Sequence, residues 1–403
     1  MIKKLLLLPI ILLVNILANA QIFTFENPMD TSVSTVFSGS YYYNSNVLTT
    51  YEFQKLVASG DELDNQFKTN LLSNLNADNN VAGLAYTSGI KQYIKSKNGL
   101  IAISIANNRF NTSNLTEKAL QLAFNGNKQF ENQTINLGNN NVYAFQYQKL
   151  GIGYQFKAKN WFNEFSVNIL NASQLQIYEM KNTSLFTAKD GEYLDANIDL
   201  KIRQLNPYTR NMGFSFSWQS TKQFKNSTLN FGFADLGFIS YNSVRQYNIN
   251  NNYHFTGLAI NDIFNLSSSS LGGSDFQNID SVFDVKQTLK SEIIKTPTPI
   301  WVDYKHNFNK LSIKAGTQYV LFMPYKSLSY VFVGYKLKSW FEPQLGIAFG
   351  GLAGFDTYFN LNTDLRAINK HLKLQLQMSA IEGIIAPKQY AGVGITGNLV
   401  WTY

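Results

Sequence analysis

The chain has no cysteine in 403 residues, which excludes disulfides and lipid attachment through a processed N-terminal cysteine. Its stability must come from burial and backbone pairing. Charge is also scarce: Asp, Glu, Lys and Arg make up 15% of the residues, against roughly 25% in an ordinary soluble domain. Histidine occurs only three times, and no H-E-x-x-H helix, G-x-S-x-G elbow or P-loop is present. After the N-terminal segment no apolar run approaches the roughly 20 residues of a membrane-spanning helix. From these deficits we expect no enzyme, no cofactor and no bound metal.

Aromatic residues are abundant, with 30 Phe and 23 Tyr. Mean hydropathy is nonetheless slightly polar, at −0.16. A transmembrane β-barrel has this profile, because only every second residue of each strand meets lipid while the other faces a polar lumen. Tyr and Trp suit the headgroup interfaces, and Phe and Leu suit the band between them.

The two ends of the chain agree with that reading. Lys3 and Lys4, the apolar Leu5–Leu17 and the small residues of Ala18-Asn19-Ala20 form an export signal over 1–20, cleaved before Gln21. At the other end Ala391, Val393, Ile395, Gly397, Leu399, Trp401 and Tyr403 fall on one face of a period-two pattern, opposite Gly392, Gly394, Thr396, Asn398 and Thr402. Such a strand, ending on an aromatic residue, resembles the terminal assembly strand of outer-membrane barrels. Trp401 and Tyr403 are its candidate signal to the barrel-assembly machinery.

Alternation recurs between the ends. Ala196, Ile198, Leu200 and Ile202 oppose Asp195, Asp199, Lys201 and Arg203, while Phe214, Phe216 and Trp218 oppose Ser215, Ser217 and Gln219. Further strand-like segments include 141–157, 163–178, 227–240, 243–260, 298–308, 311–321 and 328–338, with turn chemistry at Asn139-Asn140-Asn141, Asn250-Asn251-Asn252 and Phe308-Asn309-Lys310. The pattern predicts an all-β, transmembrane antiparallel barrel of about 14 to 16 strands spanning 21–403. Helical spacing interrupts it near 51–75, 116–124 and 261–295, where Phe276, Ile279, Val282, Phe283, Val285 and Leu289 recur at helical intervals. These helices are expected to plug the lumen or to elaborate a rim.

Period two places the charged row Asp195, Asp199, Lys201 and Arg203 toward the lumen, and His254 and His371 fall on polar strand faces. All six are candidate lumen-lining residues. His306 falls on an apolar face with Val302, Tyr304 and Phe308, opposite Asp303, so those two form no catalytic pair. The formal charge is +8, and removal of Lys3 and Lys4 leaves +6. The lysines stand singly along the chain, which excludes a nucleic-acid partner and leaves outer-membrane lipid or an anionic solute as the expected counter-charge.

Leu122-Ala123-Phe124-Asn125-Gly126-Asn127-Lys128-Gln129-Phe130, Phe233-Ala234-Asp235-Leu236-Gly237-Phe238-Ile239 and the stretch Tyr247 to Asp262 resemble a family of uncharacterised outer-membrane β-barrel proteins of Bacteroidota. The likeness spans nearly all of the mature chain and transfers no catalytic residue. More remotely the chain is similar to long-chain fatty-acid transporters and to barrel subunits of type IX secretion and gliding machinery, with an echo in Asn27-Pro28. The barrel pattern and these resemblances together point to an outer-membrane location and to a plugged or gated channel for an apolar or amphiphilic solute. A non-catalytic barrel subunit or scaffold of a cell-envelope secretion or gliding complex, bound to a protein partner, is the alternative, and a barrel-embedded lipid-modifying enzyme is the remaining one.

Overall fold

The computed structural model describes residues 33–58, 63–205, 209–256, 287–323, 327–351, 354–363 and 371–403. The leader 1–20, Asn27-Pro28 and most of the segment 261–295 lie outside them.

Eighteen strands occur among the described residues. They are β1 (Ser34–Ser45), β2 (Asn80–Ser96), β3 (Gly99–Leu115), β4 (Gln133–Asn136), β5 (Asn140–Ala158), β6 (Trp161–Met180), β7 (Ser184–Thr187), β8 (Tyr193–Leu205) and β9 (Asn211–Gln223). There follow β10 (Ser227–Thr256), β11 (Thr288–Lys295), β12 (Thr298–Phe308), β13 (Leu311–Leu321), β14 (Leu328–Tyr335), β15 (Phe341–Gly350), β16 (Gly354–Thr363), β17 (Leu372–Ser379) and β18 (Val393–Thr402).

All the strand pairs are antiparallel, and β1 closes on β18 from Ser34 opposite Thr402 to Tyr43 opposite Val393. Strands β8 and β9 lie end to end, since both pair with β6 and with β10. Likewise β11 and β12 share the next position against β10. The short β7 continues β6 against β8, and β4 pairs with β7, so the result is a closed barrel of fourteen strand positions.

Period two decides what each face meets. On β3, Leu100, Ala102 and Phe110 are buried inside, while Ile101, Ile103 and Ile105 are exposed outside. The outer band continues through Leu150, Ile152, Val167, Phe214, Val331 and Leu345, all exposed. Soluble proteins rarely show so continuous an apolar surface, whereas a barrel wall in lipid requires one. Strands on one side of the barrel are long, with 19 residues in β5, 20 in β6 and 30 in β10. On the other side β13 to β18 have only 8 to 11.

Three sequence expectations change. The described residues of the segments 227–240 and 243–260 form one strand, Ser227–Thr256, because two register irregularities, near Phe233/Leu236 and Tyr241/Val244, absorb the breaks in alternation. Asn250, Asn251 and Asn252 are no turn but pair with Asp199, Ile198 and Asn197. Thr288–Lys295, read as the end of a helix, is β11, because cross-strand pairing with β10 overrides a weak helical spacing. The turn chemistry holds elsewhere: Asn139 and Asn309 have φ of 64° and 56°.

Helices occupy the end of the barrel opposite the chain termini. They are α1 (Thr50–Ala58), α2 (Asn65–Ser73), α3 (Glu117–Asn125) and the short α4 (Ile381–Ile385). Asp64 caps α2 by accepting from the Phe67 amide at 2.7 Å, and Thr116 caps α3 by accepting from Ala119 at 3.3 Å. Phe67, Leu71 and Phe124 make a small core of their own, separate from the inward-facing core. Helices α1 and α4 meet above the closing seam, where the Thr50 and Tyr51 amides donate to the carbonyls of Tyr390 and Pro387 at 2.9 and 2.8 Å.

Candidate functional site: the barrel interior

A bulge in β10 creates the most elaborate polar site. Phe233 and Leu236 face outward with Trp218 and Phe216, so an extra residue separates them, and Asp235 turns inward in the left-handed region at φ 56°. Its buried carboxylate accepts from Lys149 Nζ at 2.8 and 2.9 Å and from the Tyr147 hydroxyl at 3.3 Å. The Asp235 amide donates to Ser217 Oγ at 2.9 Å, and its carbonyl accepts from the hydroxyls of Thr296 and Thr298. Asn168 donates to Ser215 Oγ at 3.1 Å, completing a network in which a buried charge is paired and hydrogen-bonded.

Beyond this network toward the long-loop end, the inner face becomes apolar. The inward residues of β6 run Asn168, Leu170, Ala172, Leu175, Ile177 and Glu179, with Ser173 bulged out to keep the sequence in step. Phe110, Phe145, Tyr147, Ile239, Tyr241 and Val244 join the four apolar ones in a single buried cluster. At its upper edge Arg203 bridges Glu179 at 3.1 Å and Glu292 at 2.7 Å. The Tyr143 hydroxyl donates to Glu179 and Gln246 donates to Glu292, each at 3.3 Å.

Below the bulge, toward the termini, the inner face carries matched charges beside two smaller apolar clusters, around Leu100 and Ala102 and around Tyr330 and Phe332. Glu164 accepts from Lys91 at 2.7 Å, the Tyr93 hydroxyl at 2.8 Å and Gln219 at 3.2 Å. Lys305 pairs with Glu342 at 2.9 Å, and Lys314 lies 3.7 Å from Asp303. Glu164, Asp303 and Lys314 are all buried. An apolar section bracketed by ion-paired layers is therefore the main departure from a uniformly polar lumen.

The residues singled out in the sequence scatter along this axis. Arg203 shares a face with Ile177 and Gln246, at the edge of the apolar section. Asp199 and Lys201 lie farther out on the same face, where Asn182 donates to Asp199 at 3.3 Å. Asp195 and His254 meet at 2.6 Å near the tip of the long strands, both more than half exposed. The opposite face of β8 is less open than its aliphatic pattern suggests, since Ala196 and Ile202 are buried. His371 is a correction: it sits in the turn before β17, where period two has no hold. Its Nδ1 lies 2.7 Å from the Thr402 carbonyl and its ring stacks on outward-facing Trp401. Trp401 pairs with Thr35 and Leu372, and the Tyr403 hydroxyl is 2.8 Å from Thr35 Oγ1.

The sequence reading missed Asp235 as a lumen group, because unbroken alternation from Phe231 and Phe233 would send it outward. His306 does lie on the outer face, with its Nδ1 2.7 Å from Ser227 Oγ and the Tyr304 hydroxyl donating to the same oxygen at 2.8 Å. No carboxylate joins them among the described residues. Nor are three His, Asp or Glu side chains grouped there to hold a metal ion.

No family model and no curated protein matches the sequence. Solved structures of similar outline include the TodX monoaromatic hydrocarbon channel deltaS2 mutant, at 9% identity over 92% of this chain and 89% of that one, with a TM-score of 0.41. The translocator domain of autotransporter NalP from Neisseria meningitidis gives 9% identity over 94% and 90%, at 0.34. The Salmonella typhi outer membrane phospholipase dimer gives 7% over 92% and 90%, at 0.26. At these identities and scores none of them bears on what this chain does.

Proposed function

We propose that the protein is an outer-membrane barrel that passes an apolar or amphiphilic solute, and that this structure represents its closed form. The observation that carries the reading is the apolar section of the inner face, Leu170, Ala172, Leu175 and Ile177 with Phe110, Phe145 and Tyr241. A water-filled pore has no use for such a section, whereas an apolar solute gains from leaving water there. Close packing of these residues keeps the section shut, and the ion-paired layer at Lys149 and Asp235 forms its floor. The role is non-catalytic in this reading.

A scaffold within a secretion complex calls instead for an open apolar face on the part of the wall that rises past the membrane. On β8 and β10 the residues in that position, Ala196, Ile202 and Ile249, are buried, and the exposed apolar side chains of the adjoining β11, Leu289 and Ile293, stand apart rather than as a continuous face.

Uptake of radiolabelled decanoate by cells expressing the barrel tests the proposal. Leu175→Asn and Ile177→Asn, checked for assembly by heat-modifiable gel migration, should slow uptake severalfold. Wild-type expression that leaves uptake at the background of empty cells would sink the reading.

A further inference from the structure

Each described short turn at the terminal end of the barrel carries lysine. These turns are 97–98, 159–160, 224–226, 309–310 and 336–340. They contribute Lys97, Lys159, Lys225, Lys310, Lys336 and Lys338, all exposed, and neither Asp nor Glu. None of the six makes an ion pair among the described residues. The opposite rim is mixed, with Lys55 beside Asp64, Lys118 beside Glu117 and Lys189 beside Asp190. Up-and-down topology is what gathers the six: lysines isolated in the sequence become one cationic ring.

A second observation says what the ring faces. Just inside it, on the outer surface, Lys222 shares a strand face with Trp161 and lies 4.8 Å from the centre of that ring and 5.2 Å from Phe224. Lys338 lies 5.6 Å from Trp340. Lys222 too has no carboxylate partner among the described residues. Interfacial aromatics sit at headgroup level, so ammonium groups held over them sit at the depth of lipid phosphates. Lysines on five successive described turns, from β2–β3 round to β14–β15, suit a shell of lipids, whereas a protein partner would cover one side and would usually exclude lysine from its contact.

We infer that the terminal rim is a binding surface for the phosphate headgroups of anionic glycerophospholipids. The inference rests on the membrane reading of the barrel and adds that one leaflet is held by charge. Attraction of this kind acts close to an anionic surface and is screened by salt. It would orient the barrel and seal its lower edge.

Quenching of the tryptophans by brominated lipids tests it, since Trp161, Trp340 and Trp401 lie near this rim. In mixed bilayers, brominated phosphatidylglycerol should quench at a several-fold lower mole fraction than brominated phosphatidylcholine. About 0.5 M salt should abolish the difference. Replacing all six turn lysines and Lys222 by glutamine should abolish it as well, and Lys97→Gln, Lys159→Gln and Lys225→Gln together should remove about half of it should the sevenfold variant fail to assemble. Equal quenching by the two lipids in the wild type, the result if the ring serves an acidic protein, overturns the inference while leaving the membrane reading intact. Quenching by neither lipid overturns both.

Discussion

Lys149 of β5 and Asp235 of β10 join two strands that are not neighbours, the ammonium reaching both carboxylate oxygens across the inner faces of β6 and β9. Lys149→Met leaves the buried carboxylate with hydroxyl partners alone and should destabilise the barrel by about 3 kcal/mol. Lys149→Met with Asp235→Asn should recover most of that loss. Urea unfolding in lipid vesicles measures both. A single variant as stable as the wild type would show that the pair is solvated rather than buried.

The terminal strand yields the second expectation. Removing Trp401 to Tyr403 deletes the rungs to Thr35 and Leu372 and the bond from the Tyr403 amide to the Val33 carbonyl at 3.0 Å. Open strand edges in lipid cost several kcal/mol per unsatisfied group, so the truncated chain should fail to assemble. A compact, heat-modifiable band from membranes would contradict this.

Labelling reports the register of the wall. Single cysteines at Ile103, Leu150, Val167 and Phe214 should react with a lipid-phase maleimide, and those at Asn168 and Ser215 should not. Cysteine at Ile202 should also be protected, because that outward residue is covered.

Acid should fray α2. The hydrogen bond from the Phe67 amide, then Lys55 at 3.0 Å, hold the Asp64 carboxyl below its ordinary pKa. A depressed value means that the ionised cap favours the folded helix above the unfolded pKa, and that this help is lost as pH falls through the lower, folded one. Hydrogen exchange at Phe67 should therefore accelerate on acidification. In Asp64→Asn, which still caps, exchange should show much less dependence on pH.

Much of the wall was legible because lipid on one side and polar lumen on the other impose strict alternation, as at Val393 to Tyr403 and Phe214 to Gln219. What escaped the sequence were the places where geometry is cooperative. A single bulge at Ala234 and Asp235 reverses the expected direction of the key carboxylate. The lysine ring exists only once the turns are brought together, so single lysines tens of residues apart had suggested dispersion. His371 was misassigned for a local reason, since alternation cannot be extended past a strand's first residue.

The unequal strand lengths shape the rim. A strand of about 9 to 11 residues suffices to cross the hydrocarbon, so β13 to β18 end close to the membrane surface while β10, with 30 residues, continues far past it. The rim is thus cut obliquely, like a spout. If the barrel passes a solute as proposed, molecules creeping along the headgroups on the low side would meet the rim after a two-dimensional search, while those approaching on the high side would strike the back of the wall first.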